Sequence, residues 1–401
     1  MTDGMARMAS PNRPPDGRQR RVAVVTGSRA DFGLLYWTLR AIQDAPELEL
    51  DLLVTGAHLS PEFGMSVREI EEAGFPIGAR VEVLLSSDSG VGIAKAMGLG
   101  LLGFSEVLAI HQPDLLLVLG DRFETFAAVA AAMPLRIPVA HIHGGELTRG
   151  VIDELIRHAI TKMSHLHFAA TEAYAARIRQ MGEESWRVIV SGAPGVEAIR
   201  RTPRLPLEEL RARLGISFEG PSLLVTYHPV PSDTMDTQSG IQALLKALEA
   251  VDAEILFTYP NADAGARGVV EAVQAFVQSH ARSRLFVNLG QPAYFALLAS
   301  VSAMVGNSSS GLLEAPSFEL PVVNIGDRQH GRIRGANVVD VGPVVEGIVD
   351  GIRRALDPAF RRTLAGLRNP YGTGEASTLI VSTLRSVPLN PALLCKSFEE
   401  A

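Results

Sequence analysis

Residues 21–43 read RVAVVTGSRADFGLLYWTLRAIQ, and two hydrophobic periods meet within that stretch. Val22–Thr26 is a continuous β-branched run, the pattern of a strand covered on both faces. Phe32–Gln43 repeats its apolar residues at helical spacing. Gly27-Ser28-Arg29-Ala30-Asp31 turns between them. A buried strand running straight into a helix is the opening of a βαβ unit, and the alternation continues along the chain. Strand-like runs follow at Leu50–Thr55, Asp114–Leu119, Pro138–His141, Leu166–Ala169 and Val188–Ser191. Helical periods lie between them at Ser66–Ala73, Ile93–Ile110, Arg122–Met133 and Ile152–Met163.

Thr202–Pro221 breaks the rhythm with three prolines and dense charge. A second series then begins. Its strands are expected at Leu223–Tyr227, Glu254–Thr258, Leu285–Asn288, Ala303–Gly306, Val322–Ile325 and Val338–Val341. Its helices are expected at Gln242–Ala250, Ala266–Ser279, Tyr294–Ala299, Gly311–Phe318 and Val344–Leu356, with a last one near Glu375–Ser386. The rhythm predicts an α/β protein of two Rossmann-like domains: a disordered tail over 1–20, a first domain over 21–200, a linker over 201–221, a second domain over 222–370 and a C-terminal helix and tail over 371–401. Ligand is expected in the interdomain cleft, outside the carboxyl ends of the strands.

Bulk properties narrow the function. A chain of 401 residues, 47% hydrophobic and 20% charged, builds real cores, which excludes a disordered chain. A net charge of −7 argues against nucleic acid as partner. It leaves room for an anionic small ligand held by local Arg, His and helix starts. Cys395 is the only cysteine, so no intrachain disulfide forms and a reducing, cytoplasmic setting is expected. The first 20 residues lack an apolar signal core, and no apolar run approaches the length of a membrane span. No membrane association is expected.

The loops carry the chemistry. Gly27–Gly33 fits neither GxGxxG nor a Walker A loop, but Arg29 at its tip is suited to bidentate phosphate binding. Gly120-Asp121-Arg122-Phe123-Glu124 places Asp121 just past a buried strand, as a catalytic acid or as an N-cap. His141-Ile142-His143-Gly144-Gly145-Glu146 gathers two imidazoles and a carboxylate. These read as an acid/base cluster or, with Asp121, as a metal site. Asp153 and Arg157 stand four apart on one helix face, as an ion pair or a functional pair. In the second series His228 ends a strand. Asn307-Ser308-Ser309-Ser310-Gly311 opens a helix containing Glu314, a phosphate cradle by its hydroxyls and free backbone N–H groups. Asp327–Arg334, with Arg328 and Arg332, is a cationic loop, either an ordinary solvated charged loop or one suited to a diphosphate.

With those loops collected, the chain resembles the hydrolysing UDP-N-acetylglucosamine 2-epimerases of sialic-acid biosynthesis. The carriers are GSRADFG (27–33), TGAHLS (55–60), LGDRFE (119–124), HIHGGE (141–146), DELIRHAITKMSHLHF (153–168), GNSSSGLLEAPS (306–317) and NIGDRQHGRIRG (324–335). The resemblance implies a fold similar to the two-domain GT-B glycosyltransferases. It implies conversion of UDP-N-acetylglucosamine and water to N-acetylmannosamine and UDP through a 2-acetamidoglucal, with no metal and no cofactor. Asp121 and Asp153 then match acid/base carboxylates; Arg29, His228, Ser308, Ser309, Glu314 and Arg332 match nucleotide-holding positions. Many relatives carry a catalytic glutamate where this chain has His143, with Glu146 three residues on, so either residue is a candidate for the proton transfer. The same motifs would serve a related UDP- or GDP-linked diacetamido sugar used for legionaminic-type acids. A GT-B transferase or an inactive sugar-nucleotide-binding regulator are the remaining readings. Relatives of this kind are commonly dimers or tetramers, so a homodimer or homotetramer is expected.

Overall fold

The computed structural model describes residues 18–87, 89–148, 152–229, 237–260, 266–287 and 289–400. The chain forms two compact units. The first takes the chain up to Glu146, Leu155–Glu197, and Glu375 onward; the second takes Leu147–Glu154 and Ala198–Gly374.

The first unit is built on a parallel seven-stranded sheet: β1 Arg20–Thr26, β2 Leu48–Thr55, β3 Ile77–Val81, β4 Leu115–Leu119, β5 Val139–Ile142, β6 Leu166–Ala169 and β7 Val188–Val190. Their order is β3-β2-β1-β4-β5-β6-β7, so the direction of winding reverses between β1 and β4. Alternate residues of β1 serve different cores. Val22 and Val24 pack with Leu35, Leu39 and Ile42 of the helix Arg29–Gln43 and with Ile380 and Leu384 of the C-terminal helix Ala376–Ser386. Ala23 and Val25 pack on the other face with Phe104 and Leu108 and with Ala127 and Ala128. All five residues of β4 are buried, as a strand between two helical layers requires.

The C-terminal segment is fastened to this unit by polar bonds as well. Glu197 accepts from Ser377 twice, at 2.5 Å from the hydroxyl and 2.7 Å from the backbone N–H. Arg187, fully buried, donates to the carbonyls of Leu393 and Ala392 at 2.8 Å each.

The second unit repeats the plan with six parallel strands: β8 Ser222–Thr226, β9 Glu254–Thr258, β10 Ser283–Phe286, β11 Ala303–Gly306, β12 Val322–Ile325 and β13 Val338–Val341. The order is β10-β9-β8-β11-β12-β13, with its reversal between β8 and β11. The α/β class and two parallel sheets expected from the rhythm are found.

Several expectations change. The tail expected over 1–20 ends early, because Arg20 is a buried strand residue; residues 1–17 lie outside the described residues, as does Asn288 at the end of an expected strand. β3 went unread because its edge position leaves alternate residues in water, so Ile77–Val81 lacks an apolar run. The stretch 201–221 is more than a connection: it contains the helix Leu207–Leu214, with Leu210 and Leu214 buried. The expected helix Gly311–Phe318 is one α turn, Ser310–Leu313, followed by a 3-10 turn, Ala315–Phe318. Pro316 has no N–H to continue the ladder. The helix read as Ile93–Ile110 runs over Gly90–His111, and it is long and apolar enough to cross a membrane by length and composition, contrary to the expectation of no such run.

Candidate active site

In the first unit the loops after β4 and β5 carry the titratable cluster. Gly120 turns the chain with φ +75°, and Asp121 follows, about one-fifth exposed. The Asp121 carboxylate accepts from Nη2 of Arg157, a guanidinium itself only 4% exposed on the helix Ile152–Met163. Such a charged, directional bond fixes the carboxylate's rotamer. His141 holds the same turn from beneath. Its Nε2 lies 2.7 Å from the Gly120 carbonyl, which can only accept, so Nε2 carries the proton and Nδ1 accepts from Thr161 Oγ1 at 3.2 Å. Burial pushes this imidazole down to about 3, so it is neutral at ordinary pH. With both ring nitrogens engaged, His141 is a support for Gly120-Asp121. The reading of His141, His143, Glu146 and Asp121 as metal ligands loses its first member. Among the described residues no group of three or more His, Cys, Asp or Glu is placed to hold a metal ion.

His143 and Glu146 form one unit of chemistry. His143 Nδ1 stands 2.5 Å from Glu146 Oε1, and the two side chains are 12% and 6% exposed. An Nδ1–H donated to the carboxylate makes Nε2 the proton acceptor of a neutral ring. His143 also sits at φ +67°, a conformation rare for a side chain this large, which a functional loop can impose. The glycines that follow are required by space. A Cβ on Gly144 would lie 2.9 Å from Thr161 Oγ1, and one on Gly145, at φ +76°, would lie 2.5 Å from the Tyr174 carbonyl oxygen. Asp153 is exposed in the first turn of its helix, after the undescribed residues 149–151.

A second carboxylate pair escaped the reading of the sequence. Asp31 and Glu124 approach the switch point between β1 and β4 from two helices. A Cβ on Gly27 would lie 3.5 Å from Asp31 Oδ2 and 3.8 Å from Glu124 Cδ, and one on Gly56 would lie 2.8 Å from Glu124 Oε1. Burial raises both carboxyls, and the negative charge of Asp31 raises Glu124 further, while Arg122, with Nε 3.4 Å from Oε2, opposes the rise. His58, held between Thr26 Oγ1 at 3.0 Å and Ser66 Oγ at 2.8 Å, is pushed down to about 4 by burial. Asp31 reads in sequence as a helix-start residue and Glu124 as a first-turn acid; only the winding of the sheet brings them together. Arg29, expected on phosphate, is about half exposed and forms a two-pronged ion pair with Glu69, with Nε 3.0 Å from Oε2.

In the second unit His228 follows β8 and is buried. Asn307, just past β11, clamps it: His228 N donates to Asn307 Oδ1 at 2.7 Å and Asn307 Nδ2 donates to the His228 carbonyl at 2.9 Å. Burial, aided by the Arg328 charge, takes the His228 ring down to about 3. The Asn307 carbonyl accepts from Gln329 Nε2 at 2.9 Å and Arg328 Nη1 at 3.2 Å, which ties the cationic loop to the β8/β11 switch point. Gly306, at φ +135°, must be glycine, because a Cβ would fall 2.0 Å from the Thr226 carbonyl oxygen.

Three amides of the expected cradle are engaged within the chain. Ser310 N donates to Ser308 Oγ at 3.3 Å, Gly311 N to the Ser308 carbonyl at 3.2 Å, and Leu312 N to the Ser309 carbonyl at 2.9 Å. Ser308, Ser309 and Ser310 also present hydroxyl groups, all half-buried; Ser310 Oγ meets Tyr294 Oη at 2.6 Å. Burial and the charge of nearby Glu314 push the Tyr294 phenol upward, so it stays protonated. Arg332 donates from Nη2 to Thr148 Oγ1 at 3.1 Å and from Nε toward the Leu147 carbonyl at 3.4 Å.

The profile of the family described as UDP-N-acetylglucosamine 2-epimerase matches residues 40–385. The UDP-N,N'-diacetylbacillosamine 2-epimerase (hydrolysing) of Legionella pneumophila is 38% identical over 94% of this chain and 98% of its own length. The GDP/UDP-N,N'-diacetylbacillosamine 2-epimerase (hydrolysing) of Campylobacter jejuni is 39% identical over 80% of this chain and 84% of its own. Among solved structures, a UDP-GlcNAc 2-epimerase of Neisseria meningitidis bound to UDP-GlcNAc superposes with a TM-score of 0.79 at 21% identity, covering 91% of this chain and 99% of that one.

Proposed function

The chain belongs to the UDP-N-acetylglucosamine 2-epimerase family, and on that premise we propose that it is a hydrolysing 2-epimerase of a nucleotide-linked 2,4-diacetamido sugar of the N,N'-diacetylbacillosamine type. The observation that carries the choice of sugar is the similarity, over 80% or more of this chain, to two relatives described by that substrate. Motif resemblance favours UDP-N-acetylglucosamine as the second reading.

The reaction is an elimination followed by hydration. The C2 hydrogen has no adjacent carbonyl to acidify it, so departure of the nucleoside diphosphate leads. The C1–O bond breaks with its electron pair on the phosphate, a base takes the C2 proton, and a C1–C2 double bond forms. Water oxygen then adds to C1 and a proton returns to the opposite face of C2. His143, oriented by Glu146, is the group we assign to the C2 proton; Asp121, fixed by Arg157, and Asp153 are the partner acid and base. Arg332, His228 and the hydroxyls of Ser308–Ser310 are assigned to the nucleotide, and Arg29 to phosphate upon release from Glu69.

A substrate panel tests the proposal. Purified protein is expected to release nucleoside diphosphate and free C2-epimerised sugar without any acceptor, with kcat/KM for the diacetamido sugar about tenfold or more above that for UDP-N-acetylglucosamine. A reversed ratio moves the substrate to the second reading. In deuterated, oxygen-labelled water, deuterium belongs on C2 and the label on C1 of the product. A product without deuterium at C2 removes the elimination.

A further inference from the structure

Glu124 opens the helix Phe123–Ala132 and is only 1% exposed. Neither of its carboxyl oxygens has a hydrogen-bond partner among the described residues, and Arg122 Nε stands 3.4 Å from Oε2 without forming an aligned bond. A buried carboxylate with no donor aimed at it is unfavourable; the protonated form carries a donor of its own. An acceptor for that donor is at hand. A Cβ on Gly56 would lie 2.8 Å from Glu124 Oε1 and 2.8 Å from the Gly27 carbonyl oxygen, so the two oxygens border one small space. Two bare acceptors repel across such a gap, whereas a carboxyl O–H and a carbonyl attract.

Asp31 is the opposite case. Its Oδ2 accepts from the Gly27 N–H at 3.3 Å, and its own N–H donates to Ser28 Oγ at 3.3 Å. A donor on the carboxylate favours the anion, and the Asp31 charge in turn opposes ionisation of Glu124. The pair therefore holds one proton, on Glu124. A capping box, Ser28-Arg29-Ala30-Asp31, accounts for Asp31 but leaves Glu124 buried and unbonded. Both carboxyls border Gly27, the residue from which the loop to Arg29 departs. We propose that Glu124 is a positioning residue whose proton holds the Gly27–Arg29 loop in the shape that receives a nucleoside diphosphate; this rests on the assignment of Arg29 to phosphate. Once the proton is lost, two anions stand beside the loop, the Gly27 carbonyl is repelled, and an anionic ligand binds less well. The other charged groups around the pair do not mimic this response. They are Arg122 on the same loop, His58 in the turn after β2, and Arg29 with its partner Glu69. Arginine keeps its charge, and burial holds His58 neutral above about 4.

Calorimetric titration of full-length wild type and Glu124→Gln with UDP, from about pH 6 to about pH 9, tests the proposal. Glutamine keeps the shape and a donor but cannot ionise. The ratio of the two Kd values, wild type over variant, cancels the probe's own ionisation. It is expected within about twofold of unity at the acid end and to rise about tenfold toward the alkaline end, since each proton taken up on binding moves log Kd by up to about one per pH unit. Wild type should also take up protons on binding UDP somewhere between about pH 7 and about pH 9, read in two buffers of unlike ionisation enthalpy; that measurement needs no variant. A ratio that stays constant with pH, as mere damage to the loop would give, overturns the proposal. So does binding by wild type with no proton uptake anywhere in that span. UDP bound with a constant ratio leaves the nucleotide reading standing, whereas UDP that fails to bind wild type at any pH removes that reading and the coupling together.

Discussion

Arg157 is buried and ends on Asp121, so the two residues stand or fall together. Asp121→Asn keeps the shape and removes the charge. Turnover is expected to fall roughly 100-fold or more, while nucleoside diphosphate affinity by calorimetry stays within about threefold. Loss of nucleotide binding in that variant would sink the assigned role. Glu146→Gln should lower kcat with little change in KM, because it leaves His143 in place and removes the anion that orients it. Much of this was legible in sequence: Asp121, His143 and Glu146 stand in short loops whose composition is that of a site, and Arg157 stands one helical turn from Asp153. The pairing of Asp31 with Glu124 was not, because each lies at the start of its own helix and only the β1–β4 switch brings them close. The support from His141 was also hidden, since a histidine among histidines reads as a ligand until its ring nitrogens are traced.

The elements were legible wherever the pattern was double-sided. β1, β4, β8 and β11 are apolar runs between helical periods, and they form the centres of both sheets. Failures fell where local chemistry outweighs period: the edge strand Ile77–Val81, and the turn cut short at Pro316. The strand-to-helix loop after β5 is the tightest test of element packing. Gly145→Ala demands a left-handed backbone from alanine and pushes a methyl to 2.5 Å from the Tyr174 carbonyl oxygen. A loss of about 1–3 kcal/mol in urea unfolding is expected. An unchanged midpoint would show that the loop has another conformation available.

For the molecule as a whole, buried histidines set the response to acid. His58, His141 and His228 have folded values of about 4, 3 and 3, below the 6.5 of an unfolded imidazole. Between those limits the unfolded chain binds the protons, so the stability these residues allow is full above pH 6.5 and is lost as pH falls toward the folded values. Each contributes a slope of about 1.4 kcal/mol per pH unit in that window. Asp31 and Glu124 act oppositely, since their raised carboxyls cost stability as pH rises through the folded values. Melting temperature should therefore climb from pH 4.5 to 6.5, and His141→Asn should flatten the climb. A variant with the wild-type slope would refute the assignment. Trp37 and Trp186 both lie in the first unit, so fluorescence follows that unit and calorimetry is needed for the second.

The first unit closes with residues from the far end of the chain: Ile380 and Leu384 sit in the same core as Val22 and Val24. A ribosome delivers those residues after the whole of the second unit's Ala198–Gly374. Every strand of both sheets has been made by then, so the second unit can finish folding while the first still lacks one wall of its core. During the intervening interval the apolar faces of Leu35, Leu39 and Ile42 are open to chaperones, and a chain stalled before Glu375 would carry that exposed face permanently.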